Sequence, residues 1–341
     1  MKKYLNKNKL LRIISNLNKP RILVAGDIIL DHYIWGKAER LSPEAPVPVV
    51  WANRENFLLG GASNVARNLS KLGAKACICG VIGKDFYGKL LSDILVTEKI
   101  DKRCMVTSNQ RPTTLKARVI AQHQQVVRID WESGEDISLS INQKLLDSIK
   151  KNINKFDAVI LEDYGKGIIN PDLLDKVIPL CKDKNKIITV DPKEDHFELY
   201  KDVTALTPNL KEACSAANNM RIQNQDELDL LGELLLSDLS PRALLLTLGE
   251  GGMRLFQRDG GVFHLPTFAL EVFDVSGAGD TVIAVFTAAL SAGASFLEAA
   301  FLANMAASIV VEKIGVYAVT GAELKDRVKK YFDKVNVKKV G

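Results

Sequence analysis

The sequence lacks the long apolar runs and the concentrated charge that would associate it with a membrane or a nucleic acid. No apolar run reaches the roughly 20 residues that a membrane-spanning helix needs. The first residues are rich in Lys and Asn and have no apolar core of the kind found in signal peptides. The net charge is only +5, and the basic residues are scattered along the chain. We therefore expect a cytoplasmic protein that binds neither membranes nor nucleic acids.

Cysteine is scarce, and its spacing fits no metal site. The five cysteines are Cys77, Cys79, Cys104, Cys181 and Cys214. Cys77 and Cys79 alternate along an apolar run, so their side chains share one face of a predicted strand. No second Cys/His pair with zinc spacing follows them. We therefore expect reduced thiols packed in the core.

The remaining sequence has the composition and the rhythm of a large α/β domain spanning residues 1–341. Hydrophobic residues make up 47% and charged residues 26% of the chain, which is ordinary for a globular protein. Short apolar segments alternate with helical segments, which predicts a mostly parallel sheet with helices on both faces. The predicted strands are 21–25, 76–81, 158–161, 186–190, 203–206 and 243–248. The predicted helices are 5–17, 86–95, 139–153, 173–181, 210–217 and 227–236.

Two segments, about 30–57 and 113–130, break this rhythm. Val47, Val49 and Trp51 alternate in the first, and residues 115, 117, 119 and 121 alternate in the second. Period-two spacing is typical of strands. We predict a small second sheet, which needs something to cover its apolar face.

The most informative segment is Asp274-Val-Ser-Gly-Ala-Gly-Asp-Thr281, which runs into a long apolar helix. N–H groups of Gly277, Ala278 and Gly279 at the start of that helix would form an anion site suited to a phosphoryl group. Asp280 in the first helical turn would act as a base toward an attacking hydroxyl. The alternative is a glycine turn capped by an aspartate, which is common in α/β proteins.

Candidate sugar ligands lie in two segments. Asp27 and Asp31 follow the first strand, where ligands of parallel sheets gather, and carboxylates suit sugar hydroxyls. Gly60 and Gly61 precede a helix whose first turn contains Asn64, a residue that can donate and accept. Alternatively, Asp27 only caps a turn, and the two glycines only form the start of an ordinary helix.

Candidate nucleotide ligands lie further along the chain. Asn209 and Glu212, one helical turn apart, suit the water shell of a magnesium ion, although they also fit a helix capping box. The glycine turn that follows the strand at 243–248 suits a nucleotide, and two residues of a later helix fit the wall of an adenine pocket. These further candidates are Thr247, Gly249, Gly252, Asn304 and Ala307.

Two of these segments resemble the signatures of a known family. Segment 274–281 is similar to the C-terminal signature of the ribokinase-like carbohydrate kinases, the phosphofructokinase-B family. Segment 60–68 is similar to the family's N-terminal signature. The resemblance implies a ribokinase-like fold whose small sheet is a lid over the sugar and joins two subunits into a homodimer. It also implies ATP as donor, Mg²⁺ held through water by Glu212, and a monovalent cation such as K⁺ near Asp274 and Ser276.

Segments 41–49, 162–167 and 191–193 resemble the heptose-7-phosphate kinases within that family, and the similarity covers about residues 21–324. It implies transfer of the ATP γ-phosphoryl group to the anomeric hydroxyl of D-glycero-D-manno-heptose 7-phosphate, for lipopolysaccharide synthesis. A phosphorylated sugar requires cationic partners. The polar residues expected around it are Arg118, Asp163, Lys166, Asp191 and Lys193.

The chain departs from the pattern of this group at two positions. Glu162 stands where a small residue is expected, and Gly165 stands where alanine is expected. We expect no fused nucleotidyltransferase domain, since the sequence stops at Gly341. Two alternatives stay open: a kinase for another sugar, such as fructose 1-phosphate or a pentose, and a non-catalytic regulator that binds a sugar or a nucleotide.

Overall fold

The computed structural model describes residues 4–122, 124–269, 271–334 and 337–340. The α-helices among them are α1 Lys7–Ser15, α2 Ala62–Leu72, α3 Phe86–Thr97, α4 Leu139–Asn152, α5 Pro171–Asp183, α6 Leu210–Ala216, α7 Gln225–Leu239, α8 Ala278–Ser291, α9 Phe296–Val310 and α10 Gly321–Tyr331. The strands are β1 Arg21–Gly26, β2 Ile28–Leu41, β3 Pro48–Gly61, β4 Lys75–Gly83, β5 Asp101–Ser108, β6 Thr114–Ala121, β7 Gln124–Trp131, β8 Ala158–Glu162, β9 Ile187–Asp191, β10 Ala205–Leu206, β11 Ala243–Thr247, β12 Met253–Gln257, β13 Gly261–Leu265 and β14 Lys338–Lys339.

A ten-stranded sheet with the order β14-β13-β12-β11-β10-β9-β8-β1-β4-β5 forms the centre of the fold. The strands from β11 to β5 pair in parallel, which confirms the predicted parallel sheet. The sequence prediction missed β5 and the antiparallel edge β12–β14. Strand β5 buries only two of its eight residues, β12 and β13 contain Arg254 and His264, and β14 consists of two lysines, so none of them gives a continuous apolar run.

Helices cover both faces of this sheet because its inner strands are apolar on both sides. In β1, Ile22 and Val24 pack into one core with residues of α2, α8 and α9, whereas Leu23 and Ala25 pack into another with α4, α5 and α7. Helix α8 is buried at every residue from 280 to 289, as its apolar sequence predicts. Its first turn is thereby fixed against the carboxyl ends of the strands.

The predicted second sheet is present, with the strand order β3-β2-β6-β7. Its strands extend slightly beyond the predicted segments, of which only residue 123 lies outside the described residues. Strand β2 starts just after β1, and β3 ends where α2 begins, so the small sheet is attached at the carboxyl edge of the large one. It leaves several large apolar side chains exposed: Val47, Trp51, Val126, Val127, Ile129 and Trp131.

The thiols are packed as expected. Cys77, Cys79, Cys104 and Cys181 are buried, Cys214 is half-buried, and all five are free. Of the helices formed by the described residues, none has the length and apolar character that a membrane span requires.

Candidate active site

The first turn of α8 separates two clefts at the carboxyl edge of the large sheet. The small cleft has a volume of about 170 Å³, and Ser276, Gly277 and Asp280 form one of its walls. The large cleft has a volume of about 410 Å³, and its wall includes Ala278 and Gly279. One helical turn therefore faces both clefts, with its carboxylate toward the small one.

The backbone at the start of α8 is shaped for this position. Gly277 has φ +75°, and a Cβ atom there would lie 3.0 Å from Nδ2 of Asn64, so glycine is required by conformation and by space. Among the described residues, the N–H groups of Gly277 and Gly279 have no acceptor. The N–H of Ala278 donates to the carbonyl of Val275 at 3.2 Å. The predicted anion site thus has two free donors, and the third is occupied.

Asp280 is 5% exposed and is held by two side chains. Asn64 Nδ2 donates to its Oδ2 at 2.5 Å, and the Tyr164 hydroxyl donates to its Oδ1 at 2.8 Å. Burial raises the pKa of Asp280, and these hydrogen bonds act in the opposite direction. A carboxylate that is fixed in place and has a raised pKa is suited to accept a proton from a hydroxyl in the small cleft.

Tyr164 was missed by the sequence prediction, although it lies in the segment 162–167 that carries the resemblance. Its side chain lines the small cleft and its backbone N–H donates to Asp27. Lys116 was also missed. Residues 115 and 117 of β6 are buried, so the alternation of the strand directs Lys116 and Arg118 to its other side, where they line the small cleft.

Both cations of the small cleft are paired with carboxylates. Arg118 binds Asp31 and lies over the ring of Tyr33, 5.2 Å from its centroid. Lys116 Nζ lies 3.2 Å from an oxygen of Asp130 and 2.9 Å from one of Glu132. Asp31, Gly60 and Gly61 complete this cleft, so that, with Asn64 and Arg118, five of the ten predicted sugar ligands are brought together.

Five predicted sugar ligands line neither cleft: Asp27, Asp163, Lys166, Asp191 and Lys193. Asp27 is buried and accepts from the N–H groups of residues 164, 166 and 168, at 2.8, 3.0 and 3.3 Å. Burial, reinforced by the charge of Asp163, raises the pKa of Asp27 to about 6. Asp163 accepts from His196 Nδ1 at 2.6 Å and from the Tyr200 hydroxyl. These carboxylates hold the loop that carries Tyr164 and do not face a cleft.

The two remaining lysines are engaged at the rim. Lys166 Nζ donates to Glu132 at 2.7 Å, and Lys193 lies 3.8 Å from Glu194. Neither lysine lines the small cleft. The structure therefore offers Lys116 and Arg118 as the nearest cations to a ligand in that cleft.

A cluster of buried carboxylates lies below the turn of α8. One oxygen from each of Glu162, Asp191 and Asp280 lies within 4.8 Å of the others. Burial, then the charges of Asp191 and Asp280, raise the pKa of Glu162 well above its usual value. Both Glu162 oxygens are buried without a hydrogen-bond partner. Since like charges so close together oppose one another's ionisation, this cluster favours the protonated form of Glu162.

Asp191 connects this cluster to the large cleft. Its Oδ1 accepts from the Thr207 hydroxyl at 3.0 Å, and its Oδ2 lies 3.8 Å from the Cβ position of Gly279. Burial, followed by the charge of Glu212, raises the pKa of Asp191. Asn209 and Glu212 form the capping box of α6, with reciprocal hydrogen bonds of 3.0 and 2.9 Å. These oxygen donors are of the kind that Mg²⁺ binds, directly or through water.

The other predicted nucleotide ligands line one cleft. Thr247, Gly249, Gly252, Asn304 and Ala307 all border the large cleft. Gly252 has φ +82°, and a Cβ atom there would lie 2.2 Å from the carbonyl oxygen of Leu265. Asn304 Nδ2 donates to the carbonyl of Pro266 at 2.8 Å. The rest of the wall is largely apolar, with Val272, Val275, Val282 and Val311, which suits a flat aromatic base.

Asp274 fixes the loop before α8. Its oxygens accept from the N–H groups of Ser276 at 2.9 Å and Gly315 at 3.0 Å. Burial acts to raise the pKa of Asp274, but the hydrogen bonds from Ser276 and Gly315 outweigh it and lower that pKa. Asp274 is therefore ionised, as a cation ligand would be; the predicted K⁺ site at Asp274 and Ser276 stays a prediction.

Comparison with known proteins gives the same family over most of the chain. The model of the pfkB family carbohydrate kinases matches residues 19–321. The Bifunctional protein HldE of Geobacter metallireducens is 44% identical over 302 residues, which are 89% of this chain and 61% of that protein. The protein of the same name from Wolinella succinogenes is 42% identical over 92% of this chain and 66% of its own length. The chain thus spans about two thirds of these relatives, or slightly less.

Solved structures show the same fold at low sequence identity. Arabidopsis thaliana ribokinase, complexed with ribose and ATP, has a TM-score of 0.72 at 20% identity and covers 91% of this chain and 99% of its own. Escherichia coli phosphofructokinase-2, in complex with potassium, has a TM-score of 0.75 at 16% identity over 91% of this chain and 98% of its own.

Proposed function

The chain belongs to the pfkB family of carbohydrate kinases, and we propose that it phosphorylates D-glycero-D-manno-heptose 7-phosphate at its anomeric hydroxyl, with ATP as donor. The product is the 1,7-bisphosphate. The observation that carries this proposal is the first turn of α8, which presents Asp280 to one cleft and free N–H groups between the two. A kinase needs this combination of a base and an anion site.

In the proposed reaction, the small cleft holds the sugar and the large cleft holds the nucleotide. Asp280 accepts the proton of the anomeric hydroxyl while that oxygen attacks the γ-phosphorus, and the bond from the γ-phosphorus to the bridging oxygen of the β-phosphate breaks, so that ADP leaves. Asn64 and Tyr164 keep the carboxylate oriented. The N–H groups of Gly277 and Gly279 stabilise the charge on the phosphoryl oxygens.

A magnesium ion bound together with ATP would neutralise part of the negative charge of the phosphates. Asp191, Asn209 and Glu212 are the oxygen-bearing residues that would hold it or its waters. Asp191 lies beside Gly279, and the capping box fixes Asn209 and Glu212 at the start of α6.

The preference for a phosphorylated heptose is supported by the cations of the small cleft. Arg118 and Lys116, on β6, line the same cleft as Asp280, so they are available to the phosphate of a sugar bound there. Each already has a carboxylate partner, and a phosphate can add to or replace that partner through charge-assisted hydrogen bonds. The relatives named Bifunctional protein HldE and the segments 41–49, 162–167 and 191–193 also favour this substrate over a neutral pentose.

We extend the proposal to the assembly and the pathway. The small sheet serves as a lid over the sugar, and its exposed apolar face pairs with that of a second copy, since Trp51 is 80% exposed there. The product then enters the synthesis of ADP-heptose for lipopolysaccharide in the cytoplasm.

The test is a panel of acceptors assayed for ATP-dependent phosphorylation: heptose 7-phosphate, fructose 1-phosphate, fructose 6-phosphate and ribose. We expect the highest kcat/KM with heptose 7-phosphate and a carbon NMR signal that places the new phosphate on the anomeric carbon. A higher kcat/KM with any other acceptor would refute the heptose assignment and leave the kinase assignment intact.

The role of Asp280 is tested separately. Asp280→Asn should lower kcat by about 10²–10⁴-fold, the usual contribution of a positioned base, and leave the Kd of ATP nearly unchanged. A variant with near-normal kcat would remove Asp280 from the role of base. Asp163→Asn is an informative comparison, because that carboxylate is also buried but faces neither cleft.

A further inference from the structure

A third pocket lies at the opposite edge of the large sheet from the two clefts. Its volume is about 500 Å³, larger than that of the large cleft. It opens at the amino ends of β1, β4 and β5, whose first residues Arg21, Lys75 and Asp101 line it. Its charged lining consists of five cationic side chains and one carboxylate: Arg21, Lys75, Lys99, Arg103, Lys155 and Asp101. We name it the basic pocket.

The charge of the basic pocket is unusual for this chain. The pocket carries an excess of four positive charges, whereas the excess over the whole sequence is five. The lining is therefore strongly basic, with Asp101 in it and Asp157 beside Arg21 as the neighbouring carboxylates. Such a site attracts anions, because a cleft concentrates the field of its walls.

Three of the five cations are available to a ligand. The Arg103 guanidinium is engaged by Asp101 at 2.5 Å, and Lys155 donates to Asn152 at 2.9 Å. In the part of the chain that the structure describes, the side chains of Arg21, Lys75 and Lys99 have no hydrogen-bond or ion-pair partner.

The backbone holds these cations together. Arg21 and Lys75 are directly opposite each other in the parallel pair of β1 and β4. The N–H of Lys75 bonds to Pro20 at 2.9 Å, and the N–H of Arg21 bonds to Asp157 at 2.8 Å. Like charges directly opposite each other on neighbouring strands are destabilising. A bound anion would remove that repulsion.

From this arrangement we propose that the basic pocket binds a small organic phosphate of nucleotide or sugar-bisphosphate size. Phosphate suits the guanidinium of Arg21, which can bind it through two parallel hydrogen bonds, and the ammonium groups of the two lysines. An inorganic anion would fill only a small part of 500 Å³. The rest of the wall contains apolar residues, of which Ala74 and Phe156 keep about one twentieth of their surface exposed and Ala76 and Cys77 less.

The site is separate from the clefts at the other edge of the sheet, so its occupancy can be measured without kinase turnover. Lysine acetylation with a water-soluble ester, read by peptide mass spectrometry, reports whether each lysine is accessible. The organic probes are ADP and fructose 1,6-bisphosphate. Pyrophosphate is the control that carries phosphate without an organic group. Lys176, an exposed lysine of α5 away from the pocket, is the internal control.

We expect millimolar concentrations of one organic probe to lower the acetylation rates of Lys75 and Lys99 severalfold and to leave that of Lys176 unchanged. Protection by ADP alone identifies a nucleotide ligand, and protection by the bisphosphate alone identifies a sugar bisphosphate. Protection by neither, equal protection of Lys176, or protection by pyrophosphate as strong as by either organic probe would overturn the proposal.

A second measurement uses variants. Arg21→Gln and Lys99→Gln should each raise the apparent Kd of the protecting probe by about tenfold or more, measured as the concentration that half-protects Lys75 from acetylation, which is the usual loss for a charge-assisted contact. Lys176→Gln should leave its Kd unchanged. Because all three side chains are exposed, thermal unfolding should be nearly the same in the variants. Unaltered binding in Arg21→Gln and Lys99→Gln would refute the assignment to this pocket.

Discussion

Replacement of Glu162 by glutamine should stabilise the protein, and the gain should grow with pH. Glu162 is fully buried, and neither of its oxygens has a hydrogen-bond partner. Burial, then the neighbouring charges of Asp191 and Asp280, raise its pKa well above 4.5. The folded protein therefore keeps a proton on Glu162 at a pH where the unfolded chain has released it.

The sign and the size follow from that one proton. A carboxyl group whose pKa is raised on folding contributes full stability below its unfolded pKa and loses it as the pH rises toward the folded pKa. In that window, one retained proton lowers the free energy of unfolding by about 1.4 kcal/mol per pH unit. Over two pH units the Glu162→Gln variant should gain about 2–3 kcal/mol relative to the wild type.

Urea unfolding at pH 5.5, 6.5 and 7.5 measures this difference. The matched control is Glu233→Gln on the exposed face of α7, which should follow the wild type at every pH. Parallel pH dependences for the wild type and Glu162→Gln would show that Glu162 does not hold the proton, and the reasoning about the carboxylate cluster would then be wrong.

Three further predictions concern the site and the assembly. Tyr164→Phe removes a hydrogen bond that lowers the pKa of Asp280. The acidic limb of the pH profile of kcat/KM should therefore move to higher pH, and kcat should fall about tenfold; an acidic limb at the same pH as in the wild type would contradict this. Arg118→Ala should raise KM for the sugar phosphate by about tenfold or more and leave KM for ATP unchanged. Lys193 lies outside the small cleft, so Lys193→Ala should change neither KM value, and equal effects of the two variants would contradict the placement of the sugar phosphate. Trp51→Asp on the exposed face of the small sheet should convert a dimer into a monomer in light scattering, and a monomeric wild type would end the dimer proposal.

The fold was largely predictable because most of the central strands are short apolar runs between helical segments. Segments without that contrast were missed. Strand β5 is half-polar at the edge of the sheet, and polar residues interrupt β12 and β13 and make up β14. The positions of these strands depend on pairing with strands that are distant in sequence or on a local hairpin. Neither kind of pairing produces a periodic pattern of apolar residues in the sequence.

The candidate site was predictable where conformation imposes a residue type. Gly277 and Gly252 could be singled out because their left-handed backbones and close contacts exclude a side chain. The orientation of a carboxylate could not be predicted in the same way. Asp27 and Asp280 both follow glycine, yet Asp27 accepts three N–H groups of a loop more than 130 residues away. Only the folded chain shows which of the two faces a cleft.

The helical turn that separates the two clefts has a stereochemical consequence. In the proposed reaction, the sugar hydroxyl lies on the Asp280 side of this turn and the triphosphate lies on the Gly279 side. The attacking oxygen then approaches one side of the phosphorus atom, and the departing oxygen leaves from the opposite side. A single in-line displacement of this kind inverts the configuration at phosphorus. A relay through a phosphorylated aspartate would require two displacements and would retain it. A donor made chiral at its γ-phosphorus by oxygen isotopes should therefore give a product of inverted configuration.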